Sequence, residues 1–151
     1  MSRAARVALL DVNVLVALFD PDHVHHEIAH DWFADRESDG WATCPITENG
    51  FVRVVANPAY GSGVRSGALV ENLRKFRGAS SRHAFWPAAA SLTDDTLFNT
   101  AMVSGYRQLT DIYLLGLAHK MGGCLATFDK TIPLKAVVGA KATTLELIAP
   151  V

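Results

Sequence analysis

The stretch 6–20, RVALLDVNVLVALFD, sets an acid and an amide between two apolar runs. Residues 7–10 form the short unbroken run of a strand buried on both faces, and residues 14–19 resume apolar character at helical spacing. A strand that passes directly into a helix puts Asp11 at the strand's carboxyl end, where open α/β sheets bind ligands. Taken alone, Asp11 or Asn13 is explained equally well as an ordinary helix cap.

The alternation continues along the chain. A second helix is expected over 25–36, where Ile28, Ala29, Trp32 and Phe33 share a side, and it ends at Ser38-Asp39-Gly40. A short strand fits 41–43, and Pro45 suits the first position of a helix reaching Val55, stopped by Asn57-Pro58. After a Gly- and Ser-rich loop over 59–67, a helix is expected over 68–76, a weak strand over 84–86, and a helix over 95–101 capped by Thr93 or Asp94. The most periodic late helix covers 109–120 and ends at Gly122-Gly123. Strands over 124–127 and 143–147 complete the series. Strands alternating with helices imply a three-layer α/β/α sandwich around a mostly parallel sheet.

The 151 residues suffice for one domain, 1–151, with a core that needs no staples. A formal charge of -1 removes any global pull toward nucleic acid or an anionic membrane, so a basic surface has to be local. Cys44 and Cys124 stand far apart and in no CxxC pair, which suits reduced thiols. Without a long apolar span or an unbroken apolar leader, the expectation is a cytoplasmic protein with no membrane partner.

Three further acids stand where apolar residues belong. Glu48 shares a helical stripe with Phe51, Val52 and Val55, and Asp111 shares one with Leu114, Leu115 and Ala118. Asp129 follows the strand over 124–127, as Asp11 follows the first. Each has an ordinary alternative: compensation of a helix dipole for Glu48, an N-cap for Asp111, a turn acid for Asp129. All four nonetheless fall at strand carboxyl ends or helix amino ends, which lie on one edge of a parallel sheet. Gathered there, they would repel one another and raise each other's pKa unless a cation neutralised them. Oxygen ligands without His or Cys favour Mg²⁺, or Mn²⁺, over zinc. Such clusters activate water and stabilise charge developing on a phosphodiester. Asn13 and Thr127 are the neighbouring polar groups expected to orient ligands or waters.

The segments LLDVNVLVAL, ITENGFVRV, YRQLTDIYLLGLA and LATFDK together resemble the PIN-domain nucleases, and within them the VapC-type toxins of bacterial toxin-antitoxin pairs. The resemblance runs through nearly the whole chain in the right order. It implies a metal-binding catalytic set of Asp11, Glu48, Asp111 and Asp129, with Arg53 matching a basic residue the family often carries shortly after its glutamate. It further implies Mg²⁺-dependent endoribonuclease activity on RNA, homodimerisation, and a cognate antitoxin that blocks the site. Residues 83–95 carry no motif of the family.

Two other functions compete. His26-Glu27-Ile28-Ala29-His30 matches the helical zinc-protease pattern H-E-x-x-H, although its longer form is absent and little chain precedes it to build a substrate sheet. The plainer account makes His23, His25, His26 and His30 surface or interface residues. A nuclease-like fold that grips RNA or a partner without cutting is the other rival, opposed by the retained acids. Arg65, Arg74, Lys75, Arg77 and Arg82, with only Glu71 among them, form the one basic-rich region. It is either a solvated helix face or a set of phosphate contacts. Phe76 and Phe85 are candidates for stacking on bases, though buried aromatics are commoner.

Overall fold

The computed structural model describes residues 6–149. Five strands and five α-helices run in the order β1 (Ala8–Leu10), α1 (Val12–Phe19), α2 (His26–Arg36), β2 (Trp41–Thr43), α3 (Pro45–Ala56), α4 (Ser66–Gly78), β3 (His83–Phe85), α5 (Leu109–Lys120), β4 (Cys124–Thr127) and β5 (Leu145–Leu147). The sheet order is β3-β2-β1-β4-β5, with every neighbouring pair parallel. The expected ends of the 1–151 unit lie outside the described residues.

The pleat sorts the strand residues into two cores. Ala8, Leu10, Trp41, Cys124 and Ala126 face α1 to α4, where they pack with Leu15, Phe51, Val55, Leu69 and Leu73. Leu9, Ala42 and Leu125 point the other way, into the core formed with Ile112, Leu114, Leu115, Leu117 and Ala118 of α5. That period-two division is why strands buried on both faces read as unbroken apolar runs. The result is the expected three-layer sandwich.

Strands 41–43 and 124–127 and helix 109–120 coincide with their expected bounds, and α4 is longer at both ends than expected. One expected element is absent. Instead of an α-helix over 95–101, residues 95–99 form turns and a bridge and Thr100–Met102 a single 3-10 turn, because the backbone is engaged elsewhere. Val138 N–H donates to the Leu97 carbonyl at 2.8 Å, Asn99 N–H to Ala136 at 2.9 Å, and Phe98 bridges to Val137 in antiparallel register. Asp94 closes a local turn by accepting from the Thr96 amide at 3.0 Å rather than capping a helix.

The chain leaves β1 toward β2 and β3, then returns on the other side of β1 to build β4 and β5. The direction therefore reverses between β1 and β4. Crevices outside the carboxyl ends of such a pair are the ligand sites of open α/β sheets.

Candidate active site

Asp11 follows β1 and Asp129 follows β4, so both border that crevice. Asp11 is 5% exposed and its two carboxylate oxygens have separate duties. Oδ1 accepts from the Val12 amide at 2.7 Å at the start of α1, and Oδ2 accepts the hydroxyl of fully buried Thr127 at 2.7 Å. The helix-cap account of Asp11 therefore holds for Oδ1, and the bond from Thr127 to Oδ2 is a contact that capping does not require. Asp129 accepts from the Thr131 amide and hydroxyl at 2.8 and 2.6 Å, an Asx turn that fixes its side chain, while its own amide donates to Thr127 Oγ1 at 3.1 Å.

Asp111 is the third residue of α5, inside the helix and not its N-cap, which is Gln108. It is hydrogen-bonded to Asp129 and feels the charges of Asp11 and Asp129. Burial, then those two charges and that bond, push its carboxyl up to about 6. Burial also raises Asp11, with the Asp129 charge adding to it, against the bonds from Thr127 and Val12 that favour the anion. Among the described residues no Lys, Arg or His is ion-paired with any of these three aspartates.

Glu48 lies on the same edge but in a different network. Its Oε2 accepts the Thr43 hydroxyl at 2.6 Å and an Arg77 N–H at 3.0 Å. Thr43 Oγ1 also meets His83 Nε2 at 2.8 Å; with the threonine proton committed to Glu48, the imidazole N–H is the donor. Burial, followed by the Arg77 charge, lowers His83 to about 4, so its ring is neutral near pH 7. Arg77 in turn lies over the Phe85 ring, 5.1 Å from its centroid. Among the described residues, no three His, Cys, Asp or Glu side chains are drawn together as a ready-made ion cage.

The remaining expected residues divide. Thr127 bonds both the Asp11 carboxylate and the Asp129 amide. Asn13 is exposed in the first turn of α1 and Arg53 exposed in the last turn of α3. Arg74 pairs with Glu71 on α4, whereas Arg65, Lys75 and Arg82 are exposed. Phe76 packs in the core against Phe33 and Trp41.

The H-E-x-x-H segment has another use. His26 Nδ1 meets the Ala17 carbonyl at 2.7 Å and His30 Nε2 the Leu18 carbonyl at 2.8 Å, so the two rings satisfy carbonyls left open at the end of α1. Glu27 points out to solvent, and the zinc-protease reading fails on this geometry. His23 and His25 pack with Phe128, the residue before Asp129.

The contacts of Thr43 and His83 leave unequal traces in the sequence: Thr43, as the last residue of β2 on the carboxyl edge, has a positional signal, whereas His83 has none, because its contact depends on a neighbouring strand.

A match to the PIN domain covers residues 8–138. Ribonuclease VapC44 of Mycobacterium tuberculosis (strain ATCC 25618 / H37Rv) is 44% identical over 134 residues, 88% of this chain and 93% of that protein. Ribonuclease VapC39 of the same strain is 40% identical over 132 residues, 87% and 95% of the two chains, and Ribonuclease VapC38 is 43% identical over 123 residues, 82% and 85%. With a sheet whose reversal point is flanked by two aspartates, and a third aspartate whose carboxyl is pushed up by burial and then by their charges, the chain belongs to the PIN-domain family, among its VapC-type nucleases.

Proposed function

We propose that the chain is a divalent-cation-dependent endoribonuclease that hydrolyses RNA phosphodiesters, acting in the cytoplasm as the toxin of a toxin-antitoxin pair. The observation that carries this reading is the trio Asp11, Asp111 and Asp129, three hard oxygen donors whose charges oppose one another and which have no basic partner among the described residues. That donor set fits Mg²⁺ or Mn²⁺ and suits zinc poorly. Bound there, the cation would neutralise the carboxylates, make a water a better nucleophile and stabilise charge developing on the phosphodiester.

The residues of the chain have distinct parts. Thr127 and the Val12 amide hold Asp11 in one orientation, and the Thr131 contacts do the same for Asp129. Asp111 keeps a proton up to about pH 6, and a bound cation would favour its charged form as a ligand. Glu48 completes the acidic set from α3, with Thr43 and Arg77 fixing its position beforehand. Asn13 and Arg53 support the site. Arg65, Arg74, Lys75, Arg77 and Arg82 supply phosphate contacts whose strength falls with salt. The unit acts as a single domain and a homodimer, and a cognate antitoxin covers its site. Among the described residues no helix is long and apolar enough to cross a membrane.

Incubating the purified chain with cellular RNA and Mg²⁺ tests this. Fragments that appear with Mg²⁺, vanish with a chelator and are absent for Asp11→Asn are expected. The Arg77 ion pair on Glu48 favours one second reading, a protein that binds RNA without cutting it. RNA retained intact by the wild-type chain under all of those conditions would establish that reading instead.

A further inference from the structure

Next to Glu48, the outer side of α4 and the start of β3 enclose a surface pocket of about 470 Å³. Val70 and Leu73 line it with apolar side chains, Arg74 and Arg77 give it two guanidinium groups, and His83 contributes a ring. Glu48 is the one acid in its lining. Its volume falls in the range that encloses small organic ligands.

Arg77 is the organising residue. Its guanidinium is fixed by the 3.0 Å ion pair to Glu48 and by Phe85, whose ring it covers. A cation restrained in this way loses less freedom on binding than one on a free surface arm. Phe85 is 43% exposed and ends β3, on the sheet edge that also carries Asp11 and Asp129. A lining of apolar side chains beside two guanidinium groups matches an anion joined to a flat, weakly polar ring. Nucleotides have that form, and only an unpaired one can present its base, because duplex bases are already stacked and paired.

We propose that this pocket seats one unpaired nucleotide of the RNA beside the bond that is cut, with its phosphate on Arg74 and Arg77 and its base on Val70, Leu73 and the Phe85 side. The placement beside the cut bond rests on the nuclease reading; the pocket's affinity for a single-stranded nucleotide does not. Base contact also makes this a position at which cleavage is selective, which phosphate contacts alone would not give.

The test uses the full chain carrying Asp11→Asn in EDTA, with affinity for fluorescent single-stranded RNA octamers read by anisotropy. On that background Val70→Trp fills the pocket at an exposed position without changing charge and is expected to weaken binding about tenfold or more. Arg77→Ala is expected to weaken it similarly and to flatten the salt dependence by about one phosphate contact. Lys141→Ala, at the opposite edge of the sheet, is expected to leave affinity unchanged, and duplex RNA of the same sequence to be indifferent to Val70→Trp. Single-strand affinity that ignores both Val70→Trp and Arg77→Ala, or no measurable single-strand binding, overturns the pocket. The two readings fail separately. A chain that binds through the pocket but never cuts with Mg²⁺ loses the nuclease reading alone; one that cuts, with affinity blind to both variants, loses the pocket alone.

Discussion

Thr127 donates its hydroxyl to Asp11 across 116 positions of sequence, at 2.7 Å in a fully buried setting. The contact follows from register: β1 and β4 are parallel neighbours, with Leu10 opposite Ala126, so the next residue of each strand reaches the carboxyl edge together. The bond favours the charged form of an aspartate that burial otherwise pushes toward neutrality.

Thr127→Val keeps the shape and removes the donor. Asp11 should then hold its proton to higher pH, and cleavage at neutral pH should fall by about 10- to 100-fold, the usual penalty for losing a group that orients a metal-binding side chain. Thr127→Ser should recover most of the loss. The measurement is cleavage rate against pH. A Thr127→Val profile superimposable on wild type would show that the bond has no part in function.

Asp111 makes stability depend on pH in a direction opposite to that of a paired carboxylate. Its ordinary value is 3.8, and in the fold it is about 6. Between those values the folded chain keeps a proton the unfolded chain has released, so stability falls as pH rises through that window and the whole penalty is present above it. Discounted for partial solvent exposure, the penalty is about 1 to 2 kcal/mol. Asp111→Asn should therefore melt higher than wild type at pH 7 without divalent cation, by about 2–4 °C per kcal/mol, and equally at pH 4. Mg²⁺ should narrow the gap by stabilising wild type. Equal melting at pH 7 would mean that Asp111 titrates normally.

Gly50 allows α3 to touch α1 beside the site. A Cβ built there would stand 2.6 Å from Val12 Cγ2, and Val12 directly follows Asp11. Gly50→Ala gains about 1 kcal/mol of helix propensity, but overpacking against a β-branched residue costs about 1–3 kcal/mol. A net loss in urea unfolding is expected, partly reversed by adding Val12→Ala. Additive single effects in that cycle would mean the two residues do not press on each other.

Arg36 is almost fully buried at the end of α2, with Asp39 at 2.9 Å and Glu146 of β5 at 2.6 Å, and Trp32 Nε1–H also donates to Glu146. Removing Glu146 strands part of a buried cation, while removing Arg36 leaves a partly exposed carboxylate that water can reach. Glu146→Ala should cost about 2 to 4 kcal/mol and Arg36→Met clearly less. Calorimetry decides it; the reverse order would place the main stabilisation in packing by the arginine stem.

How far local order could be read varied with what shaped each segment. Helix 109–120 and strands 41–43 and 124–127 were legible because each buries a face, and burial leaves a periodic trace in the chain itself. Residues 95–101 left a false trace. Their apolar groups do face the α5 core, but the backbone was captured by 136–138, which no local pattern reveals. His26 and His30 misled for the same reason, since the carbonyls they serve belong to α1.

That acids stand at the ends of buried elements, and therefore on one edge of a parallel sheet, is written in the order of residues alone. Their company is set by folding: Asp11, Asp111 and Asp129 act on one another, while Glu48 is held by Thr43 and Arg77. The difference is one of range. Periodicity records which side of an element avoids water, whereas a carboxylate's protonation and partners depend on groups brought beside it from distant parts of the chain.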